Sequence, residues 1–263
     1  MCGIVGILGK QPAAMGLVEG LKRLEYRGYD SAGIALVANG TLERVRAPGK
    51  LANLEEKLRG QELPQTLGIG HTRWATHGAP SETNAHPHQA GKVAVVHNGI
   101  IENFRELREQ LSAGGVEWST QTDTEVVAHL VNEAMKAGDT PREAVRKTLQ
   151  RLEGAFAFAF IFADEDDMMI GARKGSPLAI GHGDGEMYLG SDAIALAPFT
   201  NRLTYLEDGD WVVLTRNSFE LFDDTGAQVV RPLTVAQVNA LMADKGNYRH
   251  FMAKEIAEQP DVV

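Results

Sequence analysis

Apolar positions change their period along this chain. Gly3–Leu8 is a short apolar run bounded by glycine, the pattern of a buried strand. Ala14, Leu17, Val18, Leu21 and Leu24 then recur at three- and four-residue steps, which predicts an amphipathic helix ending at the Tyr26-Arg27-Gly28 turn. Ala32–Val37 is a second apolar run, closed by the hairpin dipeptide Asn39-Gly40. Leu51, Leu54 and Leu58 mark a short helix. Val93–Val96 is a β-branched strand expected to stop at His97-Asn98-Gly99, and Phe104, Leu107 and Leu111 predict a helix closed by Gly114-Gly115. Thr122 or Asp123 can cap a helix with the face Val126, Val127, Leu130 and Val131. Thr140-Pro141-Arg142-Glu143 reads as a capping box opening a helix through Leu149 and Leu152.

From Ala155 the period shortens. Ala155–Phe162, Met168–Ala172, Leu178–Gly181, Met187–Leu189, Leu203–Leu206, Trp211–Thr215 and Phe219–Phe222 read as successive short strands separated by Gly, Asp and Asn, as in a β meander. Helices crowd the first half and strands the second. The expectation is an α+β fold, sheets covered by helices within one domain. Residues 244–263 are polar and charged and read as a linker or contact strip following a domain over 2–243. No internal repeat interrupts the pattern.

Composition narrows the function classes. A chain of 263 residues, 43% hydrophobic and 23% charged, can bury a sizeable core without staples. Lys plus Arg number 26 against 35 Asp plus Glu, a net charge of −9 with no basic run, which disfavours a nucleic-acid partner. The longest uncharged apolar stretch, Gly154–Ala163, is about half of what a bilayer span requires. The N-terminus lacks the basic start and cleavage site of a secretory signal. A single cysteine rules out an internal disulfide and a cysteine-rich zinc site, so the expected compartment is the cytosol.

That cysteine stands at position 2. Removal of Met1 would leave Cys2 with a thiol and a free α-amine on neighbouring carbons, titrating near ~8.5 and ~7.7–8.0. The amine can then take the thiol proton and return it to a leaving amine. The alternative is a small buried hydrophobe at the start of a strand. His97-Asn98-Gly99 offers a side-chain amide and a backbone N–H for a developing oxyanion, or else an ordinary turn. Gly70–Gly78 packs Arg73, Trp74, Thr76, His77 and His71 between two glycines, too polar a stretch for a core strand. Arg73 presents the planar fork that suits a carboxylate, and Trp74 can cover a ligand. Asp123 can pair with an ammonium or serve as a plain N-cap. An arginine for a carboxylate and an aspartate for an ammonium together describe an amino-acid site. Five of eight histidines (His71, His77, His86, His88, His97) fall in one segment, yet no HExxH helix accompanies them, so no metal and no other cofactor is expected.

MCGIVGI, RLEYRGYDSAG (Arg23–Gly33), HTRWATHGAPSETNAHPH (His71–His88), VVHNGIIEN (Val95–Asn103) and TDTEVVAHL (Thr122–Leu130) resemble the glutaminase domain of the glutamine–fructose-6-phosphate aminotransferase (glucosamine-6-phosphate synthase) family. The resemblance extends to YRHFMAKEIAEQP (Tyr248–Pro260). CGI and HNG alone mark a class II amidotransferase; EYRGYDSAG with HTRWATHG is the specific signal. The family implies a four-layer αββα sandwich of the N-terminal-nucleophile hydrolase type. It implies Cys2 as nucleophile and Asn98 and Gly99 as the oxyanion hole. Arg73, Thr76 and His77 would hold the glutamine carboxylate, Asp123 the ammonium, and Trp74 would lie on the closing loop. The implied products are glutamate and ammonia, the latter passing to sugar-isomerase domains for glucosamine 6-phosphate synthesis in a homo-oligomeric full-length enzyme. A glutaminase serving another acceptor, or a non-catalytic glutamine-binding module, stays open at this point.

Overall fold

The computed structural model describes residues 2–236 together with 253, 256, 257 and 259. The linker expected over 244–263 otherwise lies outside the described residues. The first half runs β1 (Gly3–Leu8), α1 (Ala13–Lys22), β2 (Ser31–Ala38), β3 (Thr41–Pro48), α2 (Leu51–Leu58), β4 (Leu67–Arg73), β5 (His88–Ala90), β6 (Val93–Ile101), α3 (Phe104–Ala113) and α4 (Thr124–Lys136). The second runs α5 (Pro141–Leu149), β7 (Gly154–Phe162), β8 (Glu165–Lys174), β9 (Ala179–His182), β10 (Met187–Gly190), α6 (Ala193–Leu196), β11 (Arg202–Tyr205), β12 (Trp211–Leu214), β13 (Phe219–Phe222) and β14 (Leu233–Val235).

The strands form an eight-stranded sheet, β14-β11-β9-β10-β1-β4-β2-β3, and a six-stranded sheet, β13-β12-β8-β7-β6-β5. Alternation along each strand divides the core into three layers. On β7, Phe156, Phe158, Phe160 and Phe162 pack with α4 and α5, while Ala157, Ala159 and Ile161 face the other sheet. On β1, Val5 and Ile7 pack under α1, while Ile4 and Leu8 face the six-stranded sheet. The result is helix, sheet, sheet, helix, the expected α+β four-layer sandwich. Small alanines inside and phenylalanines outside on β7 let the two sheets approach while filling the space beneath the helices. Phe160 is fully buried there, beside Phe158. Phe160→Ala is expected to cost ~3–5 kcal/mol, read as a lowered urea midpoint.

Several expectations need correction. The seven strands after Ala155 do not make one meander: β7, β8, β12 and β13 join one sheet and β9, β10 and β11 the other. Local hairpin signals cannot report which sheet a strand enters. Gly70–Arg73 is not excluded from the core by its polarity; it completes β4, buried between β1 and β2. His97-Asn98-Gly99 does not end its strand either. β6 runs on to Ile101 because β7 offers a continuous partner, from Val93 opposite Phe162 to Ile101 opposite Gly154. The capping box at α5 forms by half: Thr140 Oγ1 accepts from the Glu143 N–H at 3.3 Å, but the Glu143 carboxylate turns to Arg146 at 2.9 Å. Among the described residues, no helix is long and apolar enough to cross a membrane.

Candidate active site

Period two decides which side chains meet between the sheets. Ile4 and Leu8 of β1 point inward, so Cys2, two residues ahead of Ile4, continues that face. Leu67 and Ile69 of β4 point inward, and His71 and Arg73 follow them; Ala94 and Val96 of β6 do the same for Asn98. The β1–β4 register, Gly3 opposite Thr72, sets Cys2 beside the end of β4. Ser191 fixes the start of β1, its Oγ accepting the Ile4 N–H at 3.0 Å and its own N–H donating to the Ile4 carbonyl at 3.1 Å.

At this junction the Trp74 N–H donates to Cys2 Sγ at 3.1 Å, and Asn98 Nδ2 donates to the Cys2 carbonyl at 3.0 Å. Burial pushes the Cys2 thiol up, opposed by the Trp74 N–H and by the positive charge of Arg73. A cavity of about 330 Å³ opens here, lined by Cys2, Arg73, Trp74, Thr76, Asn98, Gly99 and Asp123 among others. The volume suits an amino acid rather than a polymer. His77 is the sequence-predicted residue that does not line it. Its carbonyl receives Arg73, while its ring stands edge-on to Phe104 at 5.2 Å and lies 3.4 Å from Thr76 Oγ1.

Arg73 serves the loop that follows it. Its guanidinium donates to the carbonyls of His77, Ala79 and Gly78, and burial pulls its pKa down. A carboxylate in the cavity would compete with those neutral acceptors and, being charged, would make the stronger bond. Asp123 resolves a choice the sequence left open. It occupies the position before α4, yet its carboxylate makes no capping bond. Oδ2 instead accepts the Ile101 N–H at 2.9 Å and lies 3.9 Å from His97 Nδ1, so the charge is held against the cavity wall from β6.

Sequence reasoning assigned no roles to Gly28, Asp30, Arg27, Ser176, Pro177 and Ser191. A Cβ on Gly28 would fall 2.9–3.1 Å from the Arg73 and Trp74 backbone, so glycine permits that approach. Asp30 donates its N–H to the Arg73 carbonyl at 3.0 Å and accepts the Ala75 N–H at 2.8 Å. The RGYD segment thus carries the Trp74 loop. Arg27, Ser176, Pro177 and Ser191 line the cavity. An arginine and an aspartate flanking two ring-bearing or small residues was the available signal for this segment.

The histidines form a buried row. His71 and His86 stack at 4.2 Å, and His86 meets His88 edge-on at 4.5 Å. Burial lowers the pKa of all three and of His97, that of His71 to about 3, so they are neutral near pH 7. Their polar contacts are with protein groups: the His97 N–H donates to His86 Nδ1, and His88 and His97 bond Thr122 and Thr124. Among the described residues no group of three His, Cys, Asp or Glu side chains is arranged for a metal ion.

A family model described as a glutamine amidotransferase domain matches residues 71–198. The whole chain is 64% identical to the glutamine–fructose-6-phosphate aminotransferase [isomerizing] of Bradyrhizobium diazoefficiens and 59% identical to that of Brucella suis. The chain belongs to the glutamine amidotransferases. It spans 43% of the length of those two relatives. The solved glutamine phosphoribosylpyrophosphate amidotransferase of B. subtilis, 24% identical, superposes with a TM-score of 0.74 over 91% of this chain and 55% of its own, a likeness of fold. The resemblance drawn from the motifs and the fold class are both borne out for this amidotransferase.

Proposed function

We propose that Cys2 of this amidotransferase, freed of Met1, attacks the side-chain amide carbon of glutamine to form a γ-glutamyl thioester. The Cys2 α-amine takes the thiol proton as the S–C bond forms and passes it to the nitrogen, which leaves as ammonia when the C–N bond breaks. Water then cleaves the thioester to glutamate and restores the thiol. Asn98 has two N–H donors on Nδ2; one serves the Cys2 carbonyl, and the other, with the Gly99 N–H, is offered to the oxyanion. Arg73, supported by Thr76 and His77, takes the α-carboxylate, Asp123 takes the α-ammonium, and Trp74 covers the ligand. The observation that supports this most is the placement of the Cys2 sulfur at 3.1 Å from the Trp74 N–H, on a cavity that also holds Asn98, Arg73 and Asp123.

In the longer protein we assign the ammonia to fructose 6-phosphate, giving glucosamine 6-phosphate in the cytoplasm. Residues 2–243 would form the glutaminase unit, and 244–263 would lead to the sugar-isomerase domains of a homo-oligomer. Intact-mass analysis paired with glutamate release is the test. Preparations lacking Met1 should hydrolyse glutamine, and preparations retaining it, or acetylated on Cys2, should be inert. Equal rates would defeat the reading. Asp123→Asn keeps an acceptor for the Ile101 N–H and removes the charge, so it should raise the KM for glutamine about 10- to 100-fold, with a smaller change in kcat. Steady-state glutamate release measures both.

A further inference from the structure

Asn98 is useful as an oxyanion donor only if its amide nitrogen, and not its oxygen, faces Cys2. The two ends have nearly the same shape, so hydrogen-bond partners alone decide the orientation. One partner is the Cys2 carbonyl, which only accepts, 3.0 Å from Nδ2. The other is His71, whose Nε2 lies 3.0 Å from Asn98 Oδ1 and 3.0 Å from the His97 carbonyl. Both are acceptors, so Nε2 carries the proton. His71 Nδ1, buried, has no partner. The ring cannot swing away, because β4 sets His71 opposite Ile4 and Gly33 on the flanking strands, and His86 stacks on its face.

We propose that His71 is a positioning residue that acts through Asn98: as the Nε2–H tautomer it clamps the amide oxygen and so aims both Nδ2 hydrogens at the Cys2 side of the cavity. This inference rests on the glutaminase reading above for its catalytic consequence, but the clamp itself is a property of the resting protein. Without the donor, only the Cys2 carbonyl opposes a turn that brings the amide oxygen toward the developing negative charge, replacing an attraction with a repulsion. A ring that held a proton on both nitrogens would also bury a charge beside Arg73, which burial and that arginine both oppose.

The test is a double-mutant cycle with a spectroscopic arm. His71→Phe keeps the ring shape and removes the donor; it should lower kcat for glutamine hydrolysis about 10- to 100-fold and leave KM within about threefold, because Arg73 and Asp123 are untouched. His71→Gln, which retains a donor, should recover part of the loss. In an Asn98→Ala background, His71→Phe should cost less than about threefold more, since there is no amide left to aim. An equal loss in both backgrounds, or a KM rise matching the kcat fall, overturns the proposal. Nitrogen-15 NMR of the wild-type chain should place the His71 proton on Nε2 between pH 6 and 8; a proton on Nδ1, or titration in that range, overturns it independently. Should the wild type release no glutamate, the glutaminase reading fails. The imidazole tautomer and the shift of the Asn98 side-chain amide on His71 substitution then still decide the clamp. The tautomer measurement and His71→Gln also stand if the phenylalanine variant does not fold.

Discussion

Cys2→Ala is expected to reduce glutamine hydrolysis to the assay background, on the order of 10⁶-fold, without unfolding the protein. Loss of the nucleophile from an acyl-transfer site has costs of that order, because what remains is binding and oxyanion stabilisation alone. Ser191, which also lines the cavity, has its Oγ engaged by the Ile4 N–H and has no α-amine beside it to take its proton. The fold should survive, since Cys2 precedes β1 and is only partly buried. Its sulfur receives the Trp74 N–H at the exposed rim, where water can take over. Urea unfolding should therefore shift by less than about 1 kcal/mol. Cys2→Ser should be nearly as inactive, because an alcohol is far harder to deprotonate than a thiol.

The pH dependence follows from the same pair of groups. Burial raises the thiol pKa, so the thiolate is scarce near neutrality and acylation depends on a base. In the mechanism proposed above the base is the neutral α-amine, with an unperturbed pKa of ~7.7–8.0. Its working form is present above that range and is lost as pH falls through it, so acylation should slow as pH falls from 8 to 6. His71, His86 and His88 do not contribute to that slope: burial holds all three well below the usual imidazole range, His71 at about 3.

Much of the scaffold was legible because the strands and helices carry clean periods. The Phe-Ala alternation of β7 and the three-four spacing of α1 each state both an element and the face it buries. The polar strand β4 was not legible, and the reason is physical. His71 and Arg73 point inward at the end of the inter-sheet core, where Asn98 Oδ1 faces His71 Nε2 and the carbonyls of residues 77–79 accept from the Arg73 guanidinium. Hydropathy records the cost of burying such groups and cannot see partners that are distant in sequence. The same blindness hid Asp30, whose bonds reach to Arg73 and Ala75. Asp123 shows the converse. Sequence position left Asp123 open between a helix cap and a partner for an ammonium, and the fold decides against the cap: its carboxylate accepts the Ile101 N–H on the wall of the cavity.

Asn98→Ala is expected to lower kcat about 10²- to 10³-fold with little change in KM, as for removal of one oxyanion donor. The strand should persist: Asn98 opposes Ala157 in a ladder that continues on both sides, and alanine keeps the backbone bonds. Asn98→Asp should be worse than alanine, though it is nearly isosteric. His71 would still grip one carboxylate oxygen, leaving the other, negatively charged, where an N–H is needed and close to the Cys2 carbonyl, which only accepts. Gly99→Ala fails for a different reason. Gly99 has φ +130°, and a Cβ there would lie 2.0 Å from the Ala155 carbonyl oxygen, so β6 and β7 must part locally. The expected signature is a lowered unfolding midpoint along with lost activity, whereas the Asn98 variants lose activity at nearly wild-type stability. If the Asn98 variants instead lose stability and rate together, the amide is a structural strut and the oxyanion must be held by other donors.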